Sequence, residues 1–113
     1  MSDCLFCAIA AGDIPATVVA ADDDVIAFAD VDPQAPTHVL VIPRRHVATL
    51  AELCELDPDL VVAMTTMATR VAAEAGLGNG YRVVVNTGAD GGQSVSHVHT
   101  HVLGGRPMLW PPG

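Results

Sequence analysis

The stretch His97-Val98-His99-Thr100-His101-Val102-Leu103 places a histidine at every second position. Side chains alternate between the two faces of a β-strand, so a strand here would bring the three imidazoles to one face. The alternate residues Val98, Thr100 and Val102 would line the opposite face, against a helix. On a helix the three histidines would point in different directions. The pattern therefore predicts a strand over residues 96–103.

Three alternating histidines, in a chain that has five in all, allow three interpretations. They could form a solvated polar face. They could form a three-histidine zinc site, because alternate histidines on a strand can chelate a metal. They could also serve nucleophilic catalysis, in which one imidazole attacks and its neighbours manage protons. Imidazole suits this last role because its ordinary pKa of about 6.5 leaves it mostly neutral at pH 7.

The strongest helical signal lies over residues 58–75. Asp57 can cap the N-terminus, Pro58 suits the first helical position, and Gly76 suits the left-handed residue after the last turn. Apolar side chains recur there at three- and four-residue steps, which predicts one buried stripe. The stripe comprises Leu60, Met64, Met67, Val71 and Ala75.

The remaining patterns predict an α+β domain, an antiparallel five-stranded sheet with one long helix and a short N-terminal helix over residues 4–11. The connections are too short for crossover helices, which favours antiparallel pairing. The other four strands are predicted over residues 17–21, 25–30, 38–43 and 81–86, with one helical turn at 49–53 and a loop at 88–92.

Composition narrows the functional classes. The 113 residues fit a single domain, 1–113, and carry 13 acidic residues against five basic ones, a net charge of −8. This charge argues against binding to nucleic acid or to an anionic membrane. The longest apolar run, residues 4–11, is far shorter than the roughly 18 residues of a membrane span. Three cysteines, an odd number, fit a reducing compartment, so we predict a cytoplasmic protein.

Two of the cysteines, Cys4 and Cys7, form a C-x-x-C pair. The pair is compatible with a redox dithiol, a structural zinc site or two buried thiols. A redox pair normally opens a helix after a strand, and no strand is predicted before Cys4. A structural zinc ion needs four nitrogen or sulfur ligands, and His46 and His97 could complete the set. The third cysteine, Cys54, is expected to be buried.

The histidine row resembles the signature of the histidine triad (HIT) superfamily, in which histidines alternate with apolar residues. The segments 30–38 and 41–43 also resemble that family. The loop Gly91-Gly92-Gln93-Ser94-Val95 and the tail, with Gly104-Gly105-Arg106 and Trp110-Pro111-Pro112-Gly113, are similar to the Hint branch, the nucleoside phosphoramidases. The resemblance covers essentially the whole chain. One departure is Thr100, where that branch usually has leucine. Because this side chain is expected to face away from the histidines, the difference affects packing and not the chemistry.

The resemblance implies a HIT-like fold and a nucleotide-binding hydrolase of purine nucleoside phosphoramidates, of the adenosine 5′-monophosphoramidase type. His99 would attack phosphorus and form a covalent nucleotidyl-histidine intermediate. His101, in its protonated form, would bind a phosphate oxygen. Ser94 would donate to the phosphate or to the leaving group. The implied substrate-binding residues are Phe6, Ile9, Phe28, Asp30, Val31, His38, Asn86, Gly92, Gln93, Ser94, His99 and His101.

Within that set, Asp30 would bind the ribose hydroxyls, and Phe6, Ile9 and Phe28 would form an apolar slot for the purine. Backbone N–H groups of Gly92, Gln93 and Ser94 would neutralise phosphate charge.

The resemblance further implies a homodimer, AMP, GMP or their phosphoramidates as ligands, and no cofactor needed for the chemistry. Some bacterial members carry a structural zinc, which would here be bound by Cys4, Cys7, His46 and His97. Three other functions stay open: a dinucleoside polyphosphate hydrolase of the same superfamily, a nucleotide-binding adaptor with incidental activity, and a redox or metal-handling protein.

Overall fold

A computed structural model describes residues 3–113. The predicted α+β architecture is confirmed: one antiparallel five-stranded sheet carries a long helix on one face and a short N-terminal helix on the other. The helices are α1 (Leu5–Ala10), α2 (Leu50–Leu56), α3 (Pro58–Glu74) and α4 (Gly88–Gly91). The strands are β1 (Val18–Ala21), β2 (Val25–Ala29), β3 (Thr37–Pro43), β4 (Tyr81–Val84) and β5 (Thr100–Gly104).

The strand order β1-β2-β3-β5-β4 places β3 at the centre of the sheet. Every residue of β3 from His38 to Pro43 is buried, as expected for a strand covered on both faces. Leu40 pairs with His101 across the β3–β5 ladder. Because paired residues share a face, His38 lies diagonally across from His101 on the same side of the sheet.

Helix α3 forms as its capping residues predict. The Asp57 carboxylate accepts a hydrogen bond from the Leu60 N–H, Pro58 opens the helix, and Gly76 follows it at φ +77°. Leu60, Met64, Met67 and Val71 are buried against the sheet, together with Ala68 and Ala72. Ala75, predicted for the same stripe, is the C-cap residue and is exposed. The stripe therefore ends one turn earlier than the spacing suggested.

The face opposite α3 carries a smaller apolar cluster that lies under α1. Phe6 of α1 packs there with Phe28 of β2, their ring centroids 5.6 Å apart, and with Leu40 and Ile42 of β3. The two phenylalanines are thus buried core residues as well as candidate site residues.

The last strand differs from its predicted start. It begins at Thr100 instead of residue 96, because its pairing with β3 ends where Thr100 lies opposite Val41. The Val98 N–H instead donates to the Val47 carbonyl. The alternation of side chains nevertheless continues before the strand, since Val98 and Val102 pack in the α3 core while the histidines lie on the α1 side.

Three smaller predictions also need correction. The turn at 49–53 is the two-turn helix α2, capped by the Thr49 hydroxyl. The segment 88–92 contains the single helical turn α4 instead of an open loop. Cys54 lies on the outer face of α2 and is exposed, not buried. Within the described residues, no helix has the length and apolar character needed to cross a bilayer.

Candidate active site and metal centre

The three histidines of the row lie on the α1 side of the sheet, and two of them are almost wholly buried. His97 is 0% exposed and His99 is 3% exposed. The edge of the Phe6 ring contacts both, with centroid separations of 6.0 Å to His97 and 5.0 Å to His99. His101 is partly exposed, and its ring lies 5.0 Å from that of His99. A solvated polar face is therefore excluded.

Hydrogen bonding determines which nitrogen of His99 carries the proton. Its Nδ1 lies 2.8 Å from the backbone carbonyl oxygen of His97. A carbonyl oxygen only accepts, so Nδ1 must be the N–H donor. The neutral ring then has its lone pair on Nε2, which is the form required of a nucleophilic imidazole.

A second chain of hydrogen bonds determines the tautomer of His101. The Gln34 backbone N–H donates to Nδ1 of His38 over 3.0 Å, so a neutral His38 carries its proton on Nε2. That Nε2 lies 2.9 Å from Nδ1 of His101 and 3.4 Å from a carboxylate oxygen of Asp30. His101 Nδ1 is therefore the acceptor, and the proton of neutral His101 lies on Nε2.

His101 is neutral at pH 7, contrary to the expectation of a protonated ring. Burial, together with the neighbouring His99 and His38 rings, lowers the pKa of His101 from its ordinary 6.5 to about 4, against the opposing effect of Asp30. The Nε2–H of the neutral ring is still a hydrogen-bond donor, so His101 can bind a phosphate oxygen without carrying a charge.

The segment before the row is braced by its own hydrogen bonds. The Gly92 N–H donates to the Ala89 carbonyl and the Gln93 N–H donates to the Gly88 carbonyl. Contrary to the expectation, these two N–H groups are therefore not free to bind a phosphate. The Gln93 side-chain amide donates to the carbonyls of Ala48 and Val95 and accepts from the Gly88 N–H. Gln93 thus supports the loop, and the exposed Ser94 is its remaining predicted donor.

A cavity of about 620 Å³ opens beside this loop. It contains Ser94 and Asp30, together with the apolar side chains predicted for the base slot, Phe6, Ile9 and Phe28. Val31, fully exposed, lies at its edge. Sequence reasoning missed Leu5 and the segment 14–17, which also line the cavity. The helical spacing of Leu5 and Ile9 was a signal for the first of these.

Two of the predicted positions are neither fully buried nor fully exposed. Asn86 is half-buried, two residues beyond the end of β4. Asp30 is half-buried, and one of its oxygens accepts a hydrogen bond from the Asp32 N–H over 2.8 Å.

The cysteine pair converges with His46 and His97, residues that lie about 40 and 90 positions away along the chain. The Cys7 sulfur is 3.2 Å from Nδ1 of His46 and 3.5 Å from Nδ1 of His97, and the Cys4 sulfur is also 3.5 Å from the latter. The two imidazole nitrogens are 3.3 Å apart. Around a tetrahedral zinc ion, Cys and His ligand atoms are separated by about 3.3–3.6 Å, so this cluster supports a structural zinc site.

The surroundings of His97 agree with metal ligation. Its Nε2 lies 2.7 Å from the Pro43 carbonyl oxygen and must donate, which leaves Nδ1 unprotonated and directed at the cluster. Burial lowers the pKa of His97 below its ordinary value, although the Pro43 carbonyl opposes the shift. The ring is therefore neutral, as a ligand must be. A redox dithiol or two plain buried thiols would not explain the two convergent imidazoles.

A second group of possible ligands, Asp30, His38 and His101, does not suit a metal. A metal would need the lone pair of His38 Nε2, but the Gln34 N–H already occupies His38 Nδ1, so Nε2 keeps the proton. The row of three histidines does not converge on one metal either: His97 belongs to the cysteine cluster, His101 lies with Asp30 and His38, and His99 is in neither group.

Comparison with known proteins gives consistent results over almost the full length of the chain. A sequence model of the HIT domain matches residues 11–108. A HIT family hydrolase from Legionella pneumophila Philadelphia 1, of known structure, is 50% identical with a TM-score of 0.95, over 98% of this chain and 100% of that one.

Two further relatives are similar in sequence. The 14 kDa zinc-binding protein of Zea mays is 46% identical over 114 residues, which is 99% of this chain and 89% of that protein. An uncharacterized HIT-like protein of Synechocystis sp. is 46% identical over 111 residues, 98% of this chain and 97% of that protein.

Proposed function

This chain belongs to the HIT domain family, and we propose that it is a nucleotide hydrolase that cleaves the P–N bond of purine nucleoside phosphoramidates. The observation that carries the proposal is the state of His99. Its Nδ1–H is bound by the His97 carbonyl, which leaves the Nε2 lone pair available for attack on phosphorus.

The proposed reaction has two displacements. The Nε2 lone pair of His99 forms a bond to phosphorus while the bond from phosphorus to the amine breaks. A proton passes to the departing nitrogen, and the Ser94 hydroxyl and the His101 Nε2–H are the candidate donors. Water then attacks phosphorus and gives up a proton, which restores the group that protonated the amine; the bond to Nε2 breaks, and the nucleoside monophosphate leaves. The His97 carbonyl stabilises the imidazolium that exists between the two steps.

We propose that the apolar cavity binds the purine nucleoside. Phe6, Ile9, Phe28 and Val31 would contact the base, and Asp30 would bind the ribose. A cavity of about 620 Å³ is within the usual range for small-molecule sites, roughly 300–1,000 Å³. His38 would act through His101, whose tautomer it fixes, and Asn86 would contact the phosphate or the ribose.

Charge favours a phosphoramidate over a polyphosphate substrate. The residues that line the cavity include one carboxylate, Asp30, and no arginine, and the chain as a whole carries −8. His101 is neutral at pH 7. A substrate with one phosphoryl group would therefore be accepted more readily than a dinucleoside polyphosphate, which carries several negative charges into the same site.

The zinc site has a structural role in this proposal. Zinc held by Cys4, Cys7, His46 and His97 would cross-link α1 to the segments that follow β3 and precede β5, and none of the bond-making steps above involves it. Thiolate ligands require reduced cysteines, which agrees with a cytoplasmic location.

We also propose that the chain forms a homodimer. Strand β4 is an edge of the sheet with Tyr81 and Val83 exposed, and α3 exposes Val62. The tail exposes Leu109 and Trp110, at 79% and 82%. An edge strand with exposed apolar side chains is suited to pairing with a second copy. A monomer in light scattering at micromolar concentration would contradict this assembly.

The direct test is incubation with an adenosine 5′-phosphoramidate, which should release AMP. The variant His99→Ala should lose that activity while it still binds AMP, and mass spectrometry of quenched wild-type protein should show one nucleotidyl group on His99. Ser96→Ala, at an exposed position of the same segment, is the matched control and should remain active. Retained hydrolysis in His99→Ala would refute the mechanism, and AMP binding without any hydrolysis by the wild type would favour the adaptor alternative.

A further inference from the structure

Helix α1 takes part in both sites at once. Cys4, its N-cap, and Cys7 supply two atoms of the metal cluster. Leu5, Phe6 and Ile9 line the cavity. A six-residue helix therefore presents metal ligands in one direction and cavity wall in another, and the two sites cannot move independently of it.

The N-terminal segment, residues 4–17, supplies a large part of the cavity. Seven of the thirteen residues that line the cavity belong to this segment. Without the segment, the lining would be reduced to the floor on β2 and β3, where Phe28, Ala29 and Leu40 lie, and to three loop residues, Asp30, Val31 and Ser94. The position of the segment therefore determines whether the cavity exists.

The segment has limited means of staying in place on its own. Helices shorter than about 12 residues are marginal in water. Phe6 packs on Phe28 and His99, and Arg44 Nη1 donates to the Ala10 carbonyl over 3.0 Å. Convergence of Cys4 and Cys7 with two histidines from elsewhere in the fold would add a further tie, because a bound metal stabilises the folded arrangement of its ligands.

His97 adds a second connection between the sites. Its ring nitrogen Nδ1 points into the metal cluster, and its backbone carbonyl accepts the Nδ1–H of His99. A metal ion bound to the His97 ring would also restrain the His97 backbone carbonyl, which orients the attacking imidazole of His99.

We propose that zinc binding and nucleotide binding are coupled through the N-terminal segment, so that each ligand raises the affinity of the other. The inference rests on the proposed nucleotide site. Zinc orders α1 and completes the cavity wall, and nucleotide packed against that wall holds α1 over the metal ligands. Thermodynamic linkage requires the two effects to be equal in size, and couplings of this kind typically lie between about 5-fold and 150-fold.

The first measurement is the affinity for AMP by calorimetry, with zinc-loaded protein and with protein stripped by a chelator. We expect AMP to bind about tenfold more weakly to the stripped protein. Cys7→Ser should show the same loss in the presence of zinc. Cys54→Ser is the matched control, since Cys54 lies exposed on α2, outside both sites, and should bind AMP as the wild type does.

The second measurement runs in the opposite direction and needs no stripped protein. In competition with a chelator, the apparent dissociation constant for zinc should be about tenfold lower at saturating AMP than without AMP. Protein loaded with Co²⁺ should also change its visible absorption spectrum when AMP is added, because the ligand geometry reports on α1. An unchanged zinc affinity together with an unchanged Co²⁺ spectrum would overturn the coupling.

Hydrogen exchange separates this route from a general loss of stability. Removal of zinc should speed exchange of the amides at Ala8 and Ala11, while amides of β2 and β3 stay protected. Equal acceleration throughout the sheet would overturn the route through α1. If AMP binds neither form of the protein, the proposed nucleotide site is wrong; if AMP binds both forms equally, that site stands and the coupling fails.

Discussion

Acidification should destabilise the protein through His101, and the size of the effect can be worked out from its surroundings. The pKa of His101 is about 4 in the folded protein and about 6.5 when the chain is unfolded. Between these values the unfolded chain binds more protons, so stability is full above pH 6.5 and falls as the pH drops toward 4.

For the whole shift, the loss between pH 7.5 and pH 5 would be about 2 kcal/mol. The ring is partly exposed, and solvent screening reduces the expected loss to about 1 kcal/mol. The comparison protein is His101→Asn, which does not titrate in this range and whose side-chain oxygen can still accept a hydrogen bond from His38. Both proteins keep the four zinc ligands, so acid release of the metal affects them alike.

The assay is urea unfolding of both proteins at the two pH values, followed by circular dichroism. Tryptophan fluorescence would be a poor probe because Trp110 is 82% exposed in the folded chain. The free energy of unfolding should fall by about 1 kcal/mol more in the wild type than in the variant. Parallel changes in the two proteins, or a smaller fall in the wild type, would refute the assignment of a partly buried, neutral His101.

Three further predictions follow from other contacts. Asp57→Ala removes the hydrogen bond to the Leu60 N–H at the start of α3 and should lower the free energy of unfolding by about 1 kcal/mol in urea titrations; an unchanged midpoint would contradict the capping role. Arg106 donates to the carbonyl of Gln34, whose backbone N–H fixes His38, so Arg106→Gln should lower kcat about fivefold. The control Arg82→Gln loses a similar bond, from β4 to the Leu109 carbonyl of the tail, and should leave kcat unchanged. Chelation of zinc should lower Tm markedly, and addition of Zn²⁺ should restore it; a Tm insensitive to chelator would exclude a structural metal.

Local patterns were sufficient for most of the fold. Helix α3 begins where Asp57 and Pro58 predict and ends one residue before the predicted position 75, because capping depends on a few neighbouring residues. The boundary of β5 was not predictable in the same way. It depends on where pairing with β3 stops, at Val41 opposite Thr100, and on the Val98 N–H bonding to the Val47 carbonyl instead, neither of which follows from residues 96–99 alone.

For the candidate site too, some features were predicted from the sequence and others were seen only in the structure. The alternating-histidine motif predicted that His99 and His101 are catalytic, and their roles in the reaction stay predictions. The proposal that Gly92 and Gln93 offer free N–H groups was wrong, because backbone donors in a short helical turn are consumed by nearby carbonyls. The exposure of Cys54 was also missed, since its place on the outer side of α2 follows from how that helix packs.

The order of residues by itself determined the α+β architecture, the alternation that separates the histidines from the α3 core, and the donor types at positions 4, 7, 46 and 97. These follow from the periodicity of side chains along a strand or helix, which is local. Only the tertiary structure decided that the four donors meet within metal-binding distance, which nitrogen of each imidazole holds its proton, and that α1 borders both sites. Those outcomes depend on groups far apart in the chain, because a proton on a ring nitrogen is fixed by whichever carbonyl or amide the fold brings opposite it.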